Sequence, residues 1–281
     1  MSKKVSLGDI GITGNAGLIR ELLSDAIPSR WIQRRKLVLD AWQEQVADAT
    51  DPLTLMLCSR QSGKTTLVSA LVAYTLEMYA HSLVLVLAPT ERQSQELLLK
   101  SRRLLSLKYS GFVSVAKKTL ELRNGSRAFA LPGTEETIRG FSAPDLVVID
   151  EAAMTSDELY YAIRPMLATC SDRSRIILLT TPKGKRGFFY QEWISDRPAK
   201  RIKVTAYDCP RISATFLESE RKRMPEWLFR QEYLCEFVDN ELQVFNSDLI
   251  ERSFAGGEAV EPLPITTSLE IPTNGQGALA L

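Results

Sequence analysis

Four short runs made almost wholly of apolar residues constrain this chain more than anything else in it. They are "LTLMLC" at 53–58, "LVLVLA" at 83–88, "DLVVID" at 145–150 and "RIILLT" at 175–180, with a fifth strand-like piece at 201–205. A strand that is apolar at every position buries both of its faces, which happens in a parallel sheet covered by helices on each side. The intervening segments fit: helical patterns are expected at 64–80, 91–107, near 156–169, near 187–194, at 213–222 and at 225–235. Residues 112–131 read instead as two or three short strands turning at "RNGS", 123–126. An amphipathic helix is expected over 31–48. The sum is an α/β fold, a mainly parallel sheet with helices on both faces. Ligands of such sheets bind at the carboxyl ends of the strands.

Bulk properties narrow the field further. The net charge is +1, so nucleic-acid contact would need a local basic patch or several subunits. Cys58, Cys170, Cys209 and Cys235 are scattered without a C-x-x-C pair and read as reduced thiols, most of them buried. The one histidine, His81, sits between a helix end and a strand start, and neither a Ser-His-Asp triad nor a histidine zinc site is expected. The start, "MSKKVSLGDIG", lacks a signal-peptide core, and the longest apolar run, 83–89, is far short of the ~20 residues of a membrane span. A soluble intracellular protein with no membrane contact is expected. Residues 1–30 read as a peripheral segment, 31–240 as one domain, and 241–281 as a linker-like tail, Gly-, Pro- and Thr-rich from 255.

Three of the strand ends carry chemistry. After the first comes "CSRQSGKTT", 58–66. Gly63-Lys64-Thr65 between a buried strand and a helix makes a phosphate-binding P-loop: backbone N–H groups cradle phosphate, Lys64 supplies a point charge, and the Thr65 hydroxyl is placed to ligate Mg²⁺. Ser59, Arg60, Gln61, Ser62 and Thr66 complete the expected nucleotide contacts. The pattern departs from G-x-x-x-x-G-K-[ST] at its first position, which holds Cys58, and it carries an internal cation, Arg60, able to reach the γ-phosphate. The strand at 145–150 ends in Asp150-Glu151, a Walker B pair: Asp150 for the Mg²⁺ shell, Glu151 to orient or deprotonate the attacking water. The third strand ends in Thr180-Thr181-Pro182, whose hydroxyls can bond a phosphate-bound water or the Walker B carboxylates. Upstream, Trp42 could stack on adenine and Gln43 pair with its edge; a buried tryptophan with a flanking glutamine is the plainer alternative. Arg139, in the Gly-flanked loop "EETIRGFSAP", could reach the nucleotide of a neighbouring subunit.

Taken together, "SRQSGKTT", "RGFSAPDLVVIDEAA", "TTPKGKRGFFYQEW" and "FRQEYLCEFVDN" resemble the motor domain of the large terminase subunit of tailed bacteriophages. The resemblance covers roughly residues 31 to 251, and that family's P-loop also lacks the first glycine and carries an arginine. It implies a P-loop NTPase of RecA-like, additional-strand type. Lys64 and Thr65 would serve phosphate and Mg²⁺, Arg60 would be the loop arginine, and Asp150 and Glu151 the metal shell and catalytic acid. Thr180-Thr181-Pro182 would be the coupling motif and Gln43 the adenine reader. It also implies an ATPase that assembles as a ring on the portal protein of a procapsid in the host cytoplasm. Such a ring translocates double-stranded DNA that a small terminase subunit brings. Lys183, Lys185, Arg186 and Arg221, Lys222, Arg223 are local basic clusters able to grip phosphates. The family's nuclease domain is not seen: Asp248 has no partner set, and Glu258, Glu261 and Glu270 stand without an aspartate, so no nuclease activity is expected. A helicase-like ATPase is the main competing reading, because "LVLAPTERQSQE" at 85–96 has that character. A non-catalytic nucleotide-binding subunit and a decayed prophage copy are others.

Overall fold

The apolar runs become strands β1 (Leu53–Cys58), β2 (Leu83–Ala88), β6 (Leu146–Asp150) and β7 (Arg175–Thr180). The remaining strands are β3 (Phe112–Val115), β4 (Thr119–Leu122), β5 (Arg127–Pro132) and β8 (Lys200–Val204). The structure, a computed structural model, describes residues 25–106, 111–168, 170 and 173–238. Asp248, Glu258, Glu261 and Glu270 of the expected tail, and most of the 1–30 segment, lie outside the described residues. Among the described residues the eight strands form one sheet in the order β3-β4-β5-β2-β6-β7-β1-β8. Pairing is parallel from β5 to β8 and antiparallel only at the β3-β4-β5 edge. That edge is the meander expected around "RNGS". β7 lies between β1 and β6, an additional strand separating the P-loop strand from the Walker B strand.

The helices are α1 (Pro28–Gln33), α2 (Ala41–Ala47), α3 (Lys64–Met78), α4 (Glu91–Ser106), α5 (Glu135–Ile138), α6 (Asp157–Ile163), α7 (Gly187–Ile194), α8 (Ala214–Arg223) and α9 (Glu226–Leu234). Strand residues alternate between two cores with the period-2 logic of a pleated sheet. On one side Met56, Val84, Val86, Val148, Ile177 and Leu179 pack with α1 to α4; on the other Leu55, Leu57, Leu85, Leu87, Val147 and Ile149 pack with α6 and α7. A small third cluster, Ala206, Leu217 and Phe229, holds α8 and α9.

Two expected helices differ. The span 31–48 is two helices, α1 and α2, joined by 34–40, where Lys36 has a left-handed φ of 61° and Val38 is exposed. The physical reason is capping: the Gln43 Oε1 accepts the Asp40 N–H at 2.9 Å, which starts a new helix there. The helix expected near 156–169 ends at Ile163 and passes into a 3-10 turn, Arg164–Leu167, because Pro165 has no N–H for an α-helical bond.

Candidate functional site

Three strand ends meet at one edge of the sheet. β1 leads into the loop 59–63, and α3 starts at Lys64. Gly63 has φ 92°, a conformation that costs an L-residue ~1–2 kcal/mol. A Cβ there would lie 2.9 Å from Gln43 Nε2 and 3.3 Å from an Arg211 nitrogen. No side chain caps the start of α3. The first N–H groups of this helix therefore stay available to an anion, with the positive end of the helix dipole behind them.

The loop floors a cleft of about 1050 Å³ lined by Arg60 to Thr66, by Lys100 of α4, by Glu151, by Arg211, Ile212, Ser213 and Phe216, and by Tyr233 of α9. Lys64 is buried and its Nζ lies 3.5 Å from Glu151 Oε1. Thr180 Oγ1 is 3.4 Å from Glu151 Oε2, accepts the Ala153 N–H at 3.3 Å and donates to the Thr181 carbonyl at 2.7 Å. The ends of β1, β6 and β7 are thus joined through Lys64, Glu151 and Thr180. Glu151 holds φ 50°, a strained value for a residue with a side chain. Asp150 sits below Glu151, accepting its N–H at 3.0 Å. Burial, with the adjacent Glu151 carboxylate, pushes the Asp150 carboxyl up to about 6, against the pull of Lys64.

The other expected residues fall elsewhere. Ser59 is buried beneath the loop, where its N–H bonds the Val204 carbonyl at 2.9 Å and ties the loop to β8. Arg60 lines the cleft, but its Nε is 2.5 Å from Glu232 of α9 rather than turned toward the centre. Trp42 packs against the core and Gln43 is buried; neither is on the cleft wall. Arg139 is exposed, pairs with Glu135 one turn away, and is also off the wall. Lys100, Arg211, Ile212, Ser213 and Phe216 belong to no motif read from the sequence and arrive by folding alone, while Tyr233 comes from the stretch "FRQEYLCEFVDN". Arg211 bonds both Asp40 carboxylate oxygens, at 3.0 and 2.7 Å, and the Ser62 carbonyl at 2.8 Å.

The donor set fits a nucleoside triphosphate. Arg60, Lys64, Lys100 and Arg211 surround the cleft, and Gly63 leaves room for close backbone approach. Among the described residues no group of three or more His, Cys, Asp or Glu could cage a metal. One carboxylate with one hydroxyl suits Mg²⁺, which keeps waters and takes phosphate oxygens. Among the described residues no helix is long and apolar enough to cross a membrane.

Comparison with known proteins agrees with this architecture. A family model described as terminase large subunit, T4likevirus-type, N-terminal matches residues 55–252. The large terminase subunit of Escherichia phage T5 is 28% identical over 137 residues, 46% of this chain but only 31% of that protein's length. The solved ATPase domain of the Thermus phage P74-26 large terminase superposes with a TM-score of 0.63 at 20% identity, covering 74% of this chain and 98% of that one. The large terminase of bacteriophage HK97 gives 0.60 at 17% identity, covering 71% and 51%. A large terminase from a thermophilic bacteriophage, solved in complex with ADP, gives 0.58 at 15% identity, covering 70% and 52%. At these identities the structural likenesses speak to fold alone: a RecA-like, mostly parallel sheet. The family model spans most of the chain, and with the P-loop and Walker B strands in place the chain belongs to the T4likevirus-type large terminase subunit N-terminal family.

Proposed function

We propose that residues 31–240 form an ATP-hydrolysing motor that translocates double-stranded viral DNA into a procapsid. The observation that carries this reading is the junction of Lys64, Glu151 and Thr180 at the ends of three adjacent strands. In it Lys64 and the amides of the first turn of α3 bind the triphosphate. Glu151 orients and deprotonates the attacking water, and Thr180-Thr181 senses loss of the γ-phosphate. Thr65 and Asp150 would hold Mg²⁺, which when bound neutralises charge on the β- and γ-phosphate oxygens. Arg60 contributes once it leaves Glu232, and Arg139, exposed on its loop, serves a neighbour's site in a ring. The thermophilic-phage terminase, seen with ADP and with ATP-γ-S, supports the choice of nucleotide.

Around this core stand the finer proposals. Lys183, Lys185, Arg186, Arg221, Lys222 and Arg223 grip DNA phosphates. The partners are the portal protein and a small terminase subunit, in the host cytoplasm at the portal vertex.

The test is steady-state ATPase activity of the full chain at rising concentration, with and without duplex DNA, beside Glu151→Gln. Removing a positioned base costs about 10²–10⁴ in rate. Activity that rises more than linearly with protein and falls by that factor in the variant is expected. Equal rates for the two proteins would refute the assignment of Glu151.

A further inference from the structure

The end of the sheet away from the P-loop holds a second cavity, of about 410 Å³. It lies where β6 and β7 begin and α3 ends, and it shares no residue with the nucleotide cleft. Leu71, Tyr74 and Ile177 are its buried floor, and Thr50 and Arg173 stand on its exposed rim. The Tyr74 and Tyr79 rings meet edge-on, centroids 5.8 Å apart at 90°, and give the cavity an aromatic side. Sites for small molecules have this size, about 300 to 1,000 Å³, and this character, an apolar lining with a few placed polar groups.

Among the described residues the charged groups of its walls are satisfied with one exception. Asp145 accepts the Leu83 N–H at 2.9 Å on one oxygen and pairs with Arg173 at 2.9 Å through the other. Both Asp48 oxygens are taken by Ser29, from its N–H at 2.8 Å and its hydroxyl at 2.6 Å. Arg173 also lies over the Tyr79 ring, 5.0 Å from its centroid. Arg175 is the exception. Its Nε is buried without a hydrogen-bond partner, and its one bond is a long one, from Nη2 to the Val46 carbonyl at 3.5 Å. Burial pulls this guanidinium below its ordinary range, with Asp51 acting the other way. A cation so placed gains from an anion that its planar fork can grip, and a carboxylate matches that fork. A carboxylate brings a single charge. A dianion such as phosphate would be repelled more strongly by Asp48 and Asp145 in the same walls.

We propose that this cavity is a binding site for a small aromatic carboxylate, with the carboxylate on Arg175 and the ring against Tyr74, Tyr79 and Leu71. The probe is 2-naphthoate, set beside uncharged 2-naphthamide and inorganic phosphate and titrated into the full chain by ligand-observed NMR and thermal melts. Hydrogen bonds to a charged group discriminate by about 10- to 150-fold, so 2-naphthoate should bind at least about tenfold tighter than the amide. It should also outbind phosphate. Arg175→Met keeps the apolar stem and removes a poorly paired buried charge, so it should melt no lower than the wild type and bind 2-naphthoate and the amide alike. Thr50→Trp crowds the rim with Arg175 in place and should weaken both ring compounds; it carries the test if Arg175→Met proves unstable. Saturating ATP-γ-S should leave 2-naphthoate bound, because the two sites share no residue. No binding of 2-naphthoate, equal binding of the amide by the wild type, or a preference that survives Arg175→Met would overturn the site. Displacement by ATP-γ-S would overturn it as well and move the probe to the P-loop cleft. Phosphate binding as tightly as 2-naphthoate would overturn the ligand class.

Discussion

Replacing Asp150 with asparagine should make the protein more stable and inactive at once. Asp150 is only 7% exposed, and burial beside Glu151 raises its carboxyl from the 3.8 of a free aspartate to about 6. At low pH both folded and unfolded chains hold the proton, and the group contributes its full stability. As pH rises through about 6 the unfolded chain has already ionised freely, while the folded chain must ionise in a buried place, so that contribution is lost. Linkage puts the loss at about 3 kcal/mol by pH 8 and about half of that at pH 5. Asparagine never ionises, and its Oδ1 can keep the 3.0 Å bond from the Glu151 N–H. Asp150→Asn should therefore melt about 6–12 °C higher than the wild type at pH 8, with the gap roughly halved at pH 5. Thermal melts by circular dichroism without Mg²⁺ measure it, and an ATPase assay on the same samples reports the lost metal shell. A difference independent of pH, or a variant less stable at pH 8, would refute the account of Asp150 as a carboxylate whose charge the fold opposes until a cation arrives.

Other perturbations read other links. Gly63→Ala forces a side chain onto φ 92° with its Cβ 2.9 Å from Gln43 Nε2, and should cost about 1–2 kcal/mol in a urea titration; an unchanged midpoint would contradict the strained turn. Asp157 accepts the Phe188 N–H at 2.7 Å, and no side chain of the N-cap residue Arg186 does so. Asp157→Ala should cost about 1 kcal/mol and speed hydrogen exchange at Phe188. Of the four thiols, Cys58, Cys209 and Cys235 are buried and Cys170 is not. Burial lifts Cys58 above the ordinary thiol range and Cys235 to about 12, so alkylation of the native protein at pH 8 should mark Cys170 first, as read by mass spectrometry. Early labelling of Cys58 would mean that the base of the P-loop opens.

The central strands were legible because nothing else explains six consecutive buried residues such as Leu53–Cys58. The P-loop and Walker B residues were legible because their chemistry is local: a strand end, a turn and a helix start lie within a few residues. Two kinds of information were not. The break at 34–40 was hidden by charged and apolar residues that continue a helical pattern on paper, although Asp40 followed three residues later by Gln43 is a capping signal that could have been used. Most of the second wall of the cleft, Arg211 to Phe216, had no local mark. Arg211 reaches across to Asp40, and Arg60 to Glu232, over separations of 171 and 172 residues. No motif of short span can announce such pairs. Gln43 lies beside the P-loop as its place in the sequence suggests, and its amide also closes a helix start and reaches the Gly63 carbonyl.

The geometry also limits how the proposed coupling could travel. β7 is hydrogen-bonded along both edges, to β6 and to β1, so it cannot slide without breaking two ladders. Beyond it, α7 is fixed to α6 by the Asp157–Phe188 bond, by the Tyr160 hydroxyl donating to Glu192 at 3.1 Å, and by the stacked Tyr160 and Phe188 rings, centroids 4.3 Å apart. The segment between these anchors, 182–186, begins at buried Pro182 and holds Lys183, Lys185 and Arg186. Its glycine, Gly184, and the first residue of α7, Gly187, have φ of 64° and 77°, left-handed turns open to either sense of rotation. A shift of the Glu151 carboxylate reaches Thr180 first, across 3.4 Å. The strand carrying Thr180 is held on both edges, so on the proposed reading the displacement passes to the short basic loop after Pro182 and not along the sheet. On the proposed reading, the loop that grips DNA follows directly on the strand end that touches Glu151.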